Sequence, residues 1–382
     1  MSKLFEYTIH KETDEPVPFC WKVLAATFAT GMLLAIMAVC ASCESAQADP
    51  VTKGAEVMLT LHLSLPGDKE NIGTRAISAN EESAVDISQL KVLVFKVENT
   101  SEVFCYEAPP ITLQAGKYIV TLRQSQAGET YRLVVIANAG SKLPYIPERT
   151  LKSDALKMIT FDATGKWNAN SSTDYKPIPM WGEATAAQAI TATTNLGSIT
   201  LLRALARIDV GCALSGETAA GLANFSLKSI SVYRTKSKGY VAPVNGGTIT
   251  NNVVTSVSIP SDAGTNGALA YTCSDGKSLI RTIYVAEVAQ GSSSSDNVFL
   301  VVGGTYAGAT HYYRVDLTSS GSYIPLKRNC RYIVNIKAVS NTGYATEAAA
   351  LTGDKTLDIA TSVSAEAWSA ETAAGSGTIT LP

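Results

Sequence analysis

Residues 55–65 alternate without interruption. Val57, Leu59, Leu61, Leu63 and Leu65 fall on one side, and Met58, Thr60, His62 and Ser64 on the other. A sustained period of two fits a β-strand with one face in a core, whereas a helix would need a period near 3.6. The segment that follows, residues 66–82, is rich in Gly, Asn, Asp and Glu and contains one arginine, Arg75. That composition predicts an exposed loop open to proteolysis. A core-facing first strand ending in a cleavable loop is a strand that can be released.

The rest of the chain continues in the same idiom. Apolar, β-branched runs predict strands over 90–95, 102–106, 117–122 and 131–137. A short helix is expected within 149–158 and a long ordered loop over 162–188. From 197 onward, strands are expected at 198–202, 203–210, 225–233, 246–258, 279–286, 297–305, 310–317 and 331–339. Short strands separated by Gly, Asn and Ser turns indicate an all-β chain built from sandwiches. A length of 382 residues suits about two domains, and the halves 55–196 and 197–382 are each near sandwich size. The stretch after Tyr344 has weak strand character near 355–360, 361–368 and 377–382 but little apolar mass. Such a tail cannot build its own core and must pack on this protein or on another molecule.

Near the N-terminus, Lys22 precedes an apolar run over 23–39 that ends in Cys40-Ala-Ser-Cys43 and turns polar at Glu44. This is the pattern of an export signal. Small residues before a cysteine at the end of such a run resemble a lipoprotein cleavage site. Cys43, preceded by Ala41 and Ser42, fits better than the alternative, Cys40, which follows Val39. Acylation there would anchor the chain to a membrane surface. Beyond the signal lie Cys105, Cys212, Cys273 and Cys330. Their wide separations do not suit a zinc site, and their strand-like settings suit buried thiols, in a compartment that also permits disulfides.

Catalytic machinery is sparse. The chain has three histidines, and His10 and His62 lie in segments expected to be removed, which leaves His311 as a base with no flanking motif. No Gly-rich phosphate loop or calcium-loop spacing is present, and acids such as Asp209 and Glu287 show no paired spacing. The reading is therefore of a non-enzyme without metal or cofactor. A net charge of −2 with no long basic run excludes nucleic acid as the expected partner. Trp167, Tyr175 and Trp181, in the long loop, are either plugs for a sandwich end or platforms for glycans.

Several segments in order resemble the Bacteroidales fimbrillin family, the type V pilins, over nearly the whole exported part. They are Cys43, the 55–65 strand, Arg75-Ala76, the 131–138 strand, Pro179-Met-Trp-Gly182, Leu202-Arg-Ala-Leu-Ala-Arg-Ile-Asp209, Arg328-Asn-Cys-Arg-Tyr332, Gly343-Tyr344 and the tail with Trp368. The resemblance implies two consecutive transthyretin-like β-sandwich domains, at 76–196 and 197–354. Before them come a lipoprotein signal peptide over 1–43 and a propeptide over 44–75; a C-terminal donor-strand tail follows over 355–382. It implies a structural fimbrial subunit, delivered to the outer membrane through a lipid anchor and cut between Arg75 and Ala76 by a trypsin-like, Arg-specific protease. Its groove, vacated by Val57, Leu59, Leu61, Leu63 and Leu65, would be filled by the tail of another copy or a related pilin. Candidate donor residues are Leu357, Ile359, Val363, Trp368, Ile379 and Leu381. An alternative is a lipid-anchored surface adhesin or glycan-binding module, a tip or anchor pilin outside the stalk, with host or bacterial glycans or proteins as partners.

Overall fold

Alternating strands of this kind bury one face only by stacking sheets, and that is the arrangement found. The computed structural model describes residues 55–64, 82–169, 176–214, 219–244, 249–292, 296–353 and 358–368. The described residues, all from 55 onward, form one compact unit, and strands dominate it, as expected.

The first sandwich pairs a four-stranded and a five-stranded sheet. The four-stranded sheet runs β4 (Thr112–Gln114), β5 (Lys117–Arg123), β1 (Glu56–Ser64), β9 (Ser198–Thr200). The five-stranded sheet runs β10 (Leu202–Arg203), β8 (Met180–Glu183), β6 (Tyr131–Ala137), β2 (Lys91–Glu98), β3 (Ser101–Glu107). Their facing sides share one apolar core that includes Leu59, Leu61, Leu63, Val92, Val94, Val120 and Val135.

The second sandwich pairs two four-stranded sheets. One runs β17 (Ser278–Ala286), β11 (Leu205–Cys212), β22 (Cys330–Val339), β23 (Ile359–Ala367). The other runs β16 (Leu269–Thr272), β12 (Phe225–Tyr233), β18 (Phe299–Tyr306), β19 (Ala309–Asp316). Three two-stranded ribbons complete the set: β7 (Thr160–Asp162) with β13 (Lys238–Tyr240), β14 (Ile249–Thr250) with β15 (Val253–Val254), and β20 (Thr318–Ser319) with β21 (Ser322–Tyr323). Among the described residues there are two short α-helices, α1 (Lys152–Lys157) and α2 (Glu347–Thr352).

A third core joins the two sandwiches. It combines the outer face of the five-stranded sheet (Leu93, Phe95, Val134, Ile136) with Leu156 of α1, Leu205, Tyr284 and Trp368. The five-stranded sheet is therefore covered on both sides, which explains why β2 and β6 read as continuous apolar runs instead of alternating ones.

Two sequence expectations change form. The segment 162–188 is not all loop, because β8 pairs with β6 and β10 inside it. Its Gly182 looks like a strand breaker, yet an added Cβ would sit 2.6 Å from the Thr200 carbonyl oxygen, so the glycine is what lets β9 approach. The two weak strands of the tail are one strand, β23, paired antiparallel with β22 along its whole length.

Candidate functional site

β1 forms where it does because its apolar face completes a core. Val57, Leu59, Leu61 and Leu63 are 9, 5, 2 and 0 % exposed, while Met58 on the opposite face is 71 % exposed. The strand lies inside its sheet. Glu56–Leu61 pair antiparallel with Tyr118–Arg123 of β5, and His62, Leu63 and Ser64 pair in parallel with Ser198, Ile199 and Thr200 of β9. The Leu201 amide donates to the Ser64 carbonyl at 2.8 Å, and the Ser64 hydroxyl lies 3.2 Å from those of Thr200 and Ser198. Among the described residues no strand pairs with the second edge of Glu56–Leu61. Removing β1 would thus open a slot between β5 and β9, floored by apolar side chains and flanked by free backbone groups.

The chain re-enters the described structure at Glu82, and this residue is firmly held. Its carboxylate accepts from Arg207 Nη1 at 3.1 and 3.2 Å and from the Tyr284 hydroxyl at 2.6 Å. It also accepts from the Trp368 indole at 3.3 Å and lies 3.4 Å from Arg281 Nε. The Leu202–Asp209 segment explains the convergence. β11 turns Ala206, Ile208 and Val210 into the second sandwich, and that alternation puts Arg207 and Asp209 on the other face. There Arg207 makes a bidentate pair with Asp209, at 2.9 and 2.6 Å, and Arg331 joins Asp209 at 2.6 Å and Glu366 at 2.9 Å. Burial works to raise the Asp209 carboxyl, but the guanidinium groups of Arg207 and Arg331 outweigh it and hold the group below its ordinary value.

Trp368 closes the cluster. It is 1 % exposed, stacks on Tyr284, and lies under the Arg203 guanidinium at 4.7 Å. Its carbonyl accepts from Arg203 Nη1 at 3.1 Å and its amide donates to the Asn329 carbonyl at 2.9 Å. The end of the residue 65–81 connection and the start of the tail beyond 368 thus meet at one buried contact, Glu82 to Trp368.

Of the candidate donor residues, Ile359 and Val363 lie on β23, within this chain's own sheet, and Trp368 lies in its core. Leu65, Arg75, Ala76, Cys40, Cys43, Leu357, Ile379 and Leu381 lie outside the described residues, as does Tyr175. Sequence reasoning missed Glu82, Arg281, Tyr284 and Glu366; the only signal was the charge-rich Leu-Arg-x-x-Ala-Arg-Ile-Asp strand, whose arginines need buried acids.

The other candidates are accounted for by packing. Cys105, Cys212, Cys273 and Cys330 are free thiols. Burial pushes the Cys212 thiol up to about 11 and Cys330 up to about 12. Trp167 is a plug: its indole donates to the Lys176 carbonyl at 2.9 Å, its edge meets Phe161, and the Lys176 ammonium sits 3.9 Å over its ring. Asp209 is committed to Arg207 and Arg331, and Glu287 to Arg328 at 2.6 Å, so neither is placed as a free acid–base group. His311 faces Gly304 across β18 and β19.

No family profile and no curated protein matches the chain. Among solved structures it is similar to a protein of Parabacteroides distasonis provisionally described as a cell adhesion protein. The identity is 16 %, 82 % of this chain and 99 % of that chain are covered, and the TM-score is 0.48. It is also similar to the C-terminally truncated tip fimbrial protein Mfa3 of Porphyromonas gingivalis, at 14 % identity, 82 % and 100 % coverage and TM-score 0.47. A fimbrial assembly protein of Parabacteroides distasonis matches at 14 % identity, 82 % and 97 % coverage and TM-score 0.43.

Proposed function

We propose that the chain is a surface fimbrial subunit that polymerises by strand exchange and serves adhesion. It is exported with Cys43 as the lipid-anchored residue at the outer membrane. A trypsin-like, Arg-specific protease cuts between Arg75 and Ala76 and thereby frees β1. The slot between β5 and β9 is then filled by a strand from the tail of another copy or a related pilin. The first sandwich, to which β9 and β10 at 198–203 also contribute, carries the slot, and the second sandwich carries the tail.

The observation that supports this most is the position of β1. It is an interior strand with four aliphatic side chains in the core, and residues 65–81, which include Arg75, form its covalent link to the sandwich. Burial of each such side chain is worth about 1.5–3 kcal/mol, so the four contribute roughly 6–12 kcal/mol, comparable with the whole stability of an ordinary domain, about 5–15 kcal/mol. A cut protein that loses β1 has that much to regain by accepting another strand. A tail-to-slot contact is heterologous and does not close on itself, so it builds a filament.

N-terminal sequencing of the protein extracted from the cell surface tests the proposal. Filaments whose chains begin at Ala76 are expected, with an Arg75→Ala form that stays monomeric. A mature chain that begins at Cys43 and does not polymerise refutes it.

A further inference from the structure

Arg203 grips two parts of the chain that are far apart in sequence. It lies on β10 and is 1 % exposed. Its Nε donates to the Glu82 carbonyl at 3.2 Å, where the link from β1 re-enters the described structure. Its Nη1 donates to the Trp368 carbonyl at 3.1 Å, where the tail begins. Asn329 completes the clamp. Its side-chain oxygen accepts from the Arg203 amide at 3.3 Å and from Nη1 at 3.4 Å, and its carbonyl accepts from the Trp368 amide at 2.9 Å. A guanidinium suits this task because its donors sit in a rigid planar fork. The geometry is demanding for the same reason: a small shift of Arg203 leaves buried carbonyls unmet, which is costly.

The same residue stands next to the slot. β10 follows β9 after a single residue, Leu201, whose amide donates to the Ser64 carbonyl of β1 at 2.8 Å. Among the described residues β1 is the only ladder partner of β9, through the pairs of His62, Leu63 and Ser64 with Ser198, Ile199 and Thr200. A strand this short, with one partner, frays when that partner leaves. Arg203 lies two residues beyond the bond to Ser64, so fraying of β9 reaches the clamp directly. Leu202 and Arg203 keep their own pairs with Trp181 and Met180 of β8, so the hold on Trp368 weakens without being abolished.

We infer that Arg203 is a positioning residue that couples the slot to the tail: β1, β9, β10 and the chain around Trp368 open and close as one unit. Its role in assembly rests on strand exchange, whereas the coupling itself is a property of the uncut chain. A filled slot seats Arg203 and fixes the root of the tail, and an empty slot loosens it. A subunit that has accepted a strand is then the better donor, because its own tail starts from a fixed point and has less freedom to lose on insertion. Growth thereby gains an order, acceptance before donation.

The test is amide hydrogen exchange, read by mass spectrometry, on the uncut full exported chain. Leu61→Ala loosens β1 from a different core than the one that holds Trp368. It is expected to speed exchange over 359–368 about fivefold or more and to leave 227–232 of β12 unchanged, while the exposed-face variant Met58→Ala changes neither. Coupling is reciprocal, so Trp368→Phe, which deletes the indole bond to Glu82, is expected to speed exchange over 56–64. In Arg203→Lys, which lacks the fork, Leu61→Ala should no longer reach 359–368; if Arg203→Lys does not fold, the other three variants decide. The coupling is overturned if Leu61→Ala speeds 56–64 alone, or if Trp368→Phe leaves 56–64 unchanged. It is also overturned if 227–232 speeds up in step, the mark of one global unfolding, or if the effect of Leu61→Ala persists in Arg203→Lys. None of these results depends on cleavage, so a mature chain that begins at Cys43 would refute strand exchange and leave the coupling standing.

Discussion

Leu61→Ala separates a strand that leaves from a strand that stays. Leu61 is 2 % exposed, sits opposite Tyr118 on β5, and belongs to the core shared by the two sheets of the first sandwich. Truncating a buried leucine costs about 2–5 kcal/mol, because transfer energy is lost and a cavity remains. With a urea m-value of about 1–3 kcal/mol per molar, the denaturation midpoint of the uncut precursor should fall by roughly 1 M or more. Met58→Ala is the control: it lies on the same strand with its side chain 71 % exposed, and it should shift stability by about 0.5 kcal/mol or less. Once the chain is cut and polymerised, β1 is gone, and the two variants should give filaments with the dissociation midpoint of the parent. If Leu61→Ala filaments are destabilised as much as the precursor, β1 persists in the mature subunit and strand replacement is wrong.

Glu82→Ala should destabilise the protein by about 3 kcal/mol, the lower end for breaking a buried ion pair, because Asp209 still accompanies Arg207; a loss below about 1 kcal/mol in urea melts would show that the cluster is not held through Glu82. Trp368→Ala should cost about 3–5 kcal/mol, whereas a stop codon at 369 should leave folding intact and abolish filaments; equal melting of Trp368→Ala and the parent would contradict the burial seen here. Stability should decline in acid, since Asp209 and Glu102 are held below their ordinary values by paired arginine and lysine groups that outweigh burial. That contribution is complete above the unfolded carboxylate value near 3.8 for Asp209 and is lost as pH falls through the lower native value; a urea midpoint unchanged between pH 5 and about pH 2 would refute it. Cys212 and Cys330, pushed up by burial to about 11 and about 12, should resist thiol reagents at pH 8 until the protein unfolds, and mass spectrometry of the labelled native chain checks this.

The legible parts of the sequence were those written in side-chain periodicity. The alternation of 55–65 located β1 to within a residue at each end, and the continuous runs at β2 and β6 marked strands covered on both faces. Two features were not legible because backbone carries them. β9 pairs with β1 in parallel from far along the chain, and β23 is held by its ladder to β22 with only Ile359 and Ala365 of its residues fully buried. Hydrogen-bond ladders leave no hydrophobic pattern, so the segment read as a tail that must pack on this protein or on another molecule, with nothing to say which. Glu82 was illegible for a different reason: one acid at the end of an acidic loop is indistinguishable from its solvated neighbours until Arg207 and Tyr284 are placed around it.

That correction to the tail sharpens the exchange proposal. With β23 inside the chain's own sheet and Trp368 locked between Arg203 and Tyr284, the segment available to a neighbour starts at 369. Residues 369–382 alone, extended at about 3.3 Å per residue, span roughly 46 Å, against roughly 30 Å for the nine-residue β1. They can therefore cross a gap of about 16 Å and still run the length of the vacated slot. Ile379 and Leu381 are spaced two apart, like Leu61 and Leu63, so in extended form both would face the same core. The remaining positions are Ala, Thr, Ser, Gly, Glu and the final Pro382, smaller than the leucines they would replace, and a donor of this composition refills less apolar volume than β1 did. Ala373→Leu or Gly377→Leu would therefore raise the dissociation midpoint of filaments without touching the melting of the uncut monomer. A substitution that stabilised the monomer instead would place the segment on its own subunit and remove it as the donor.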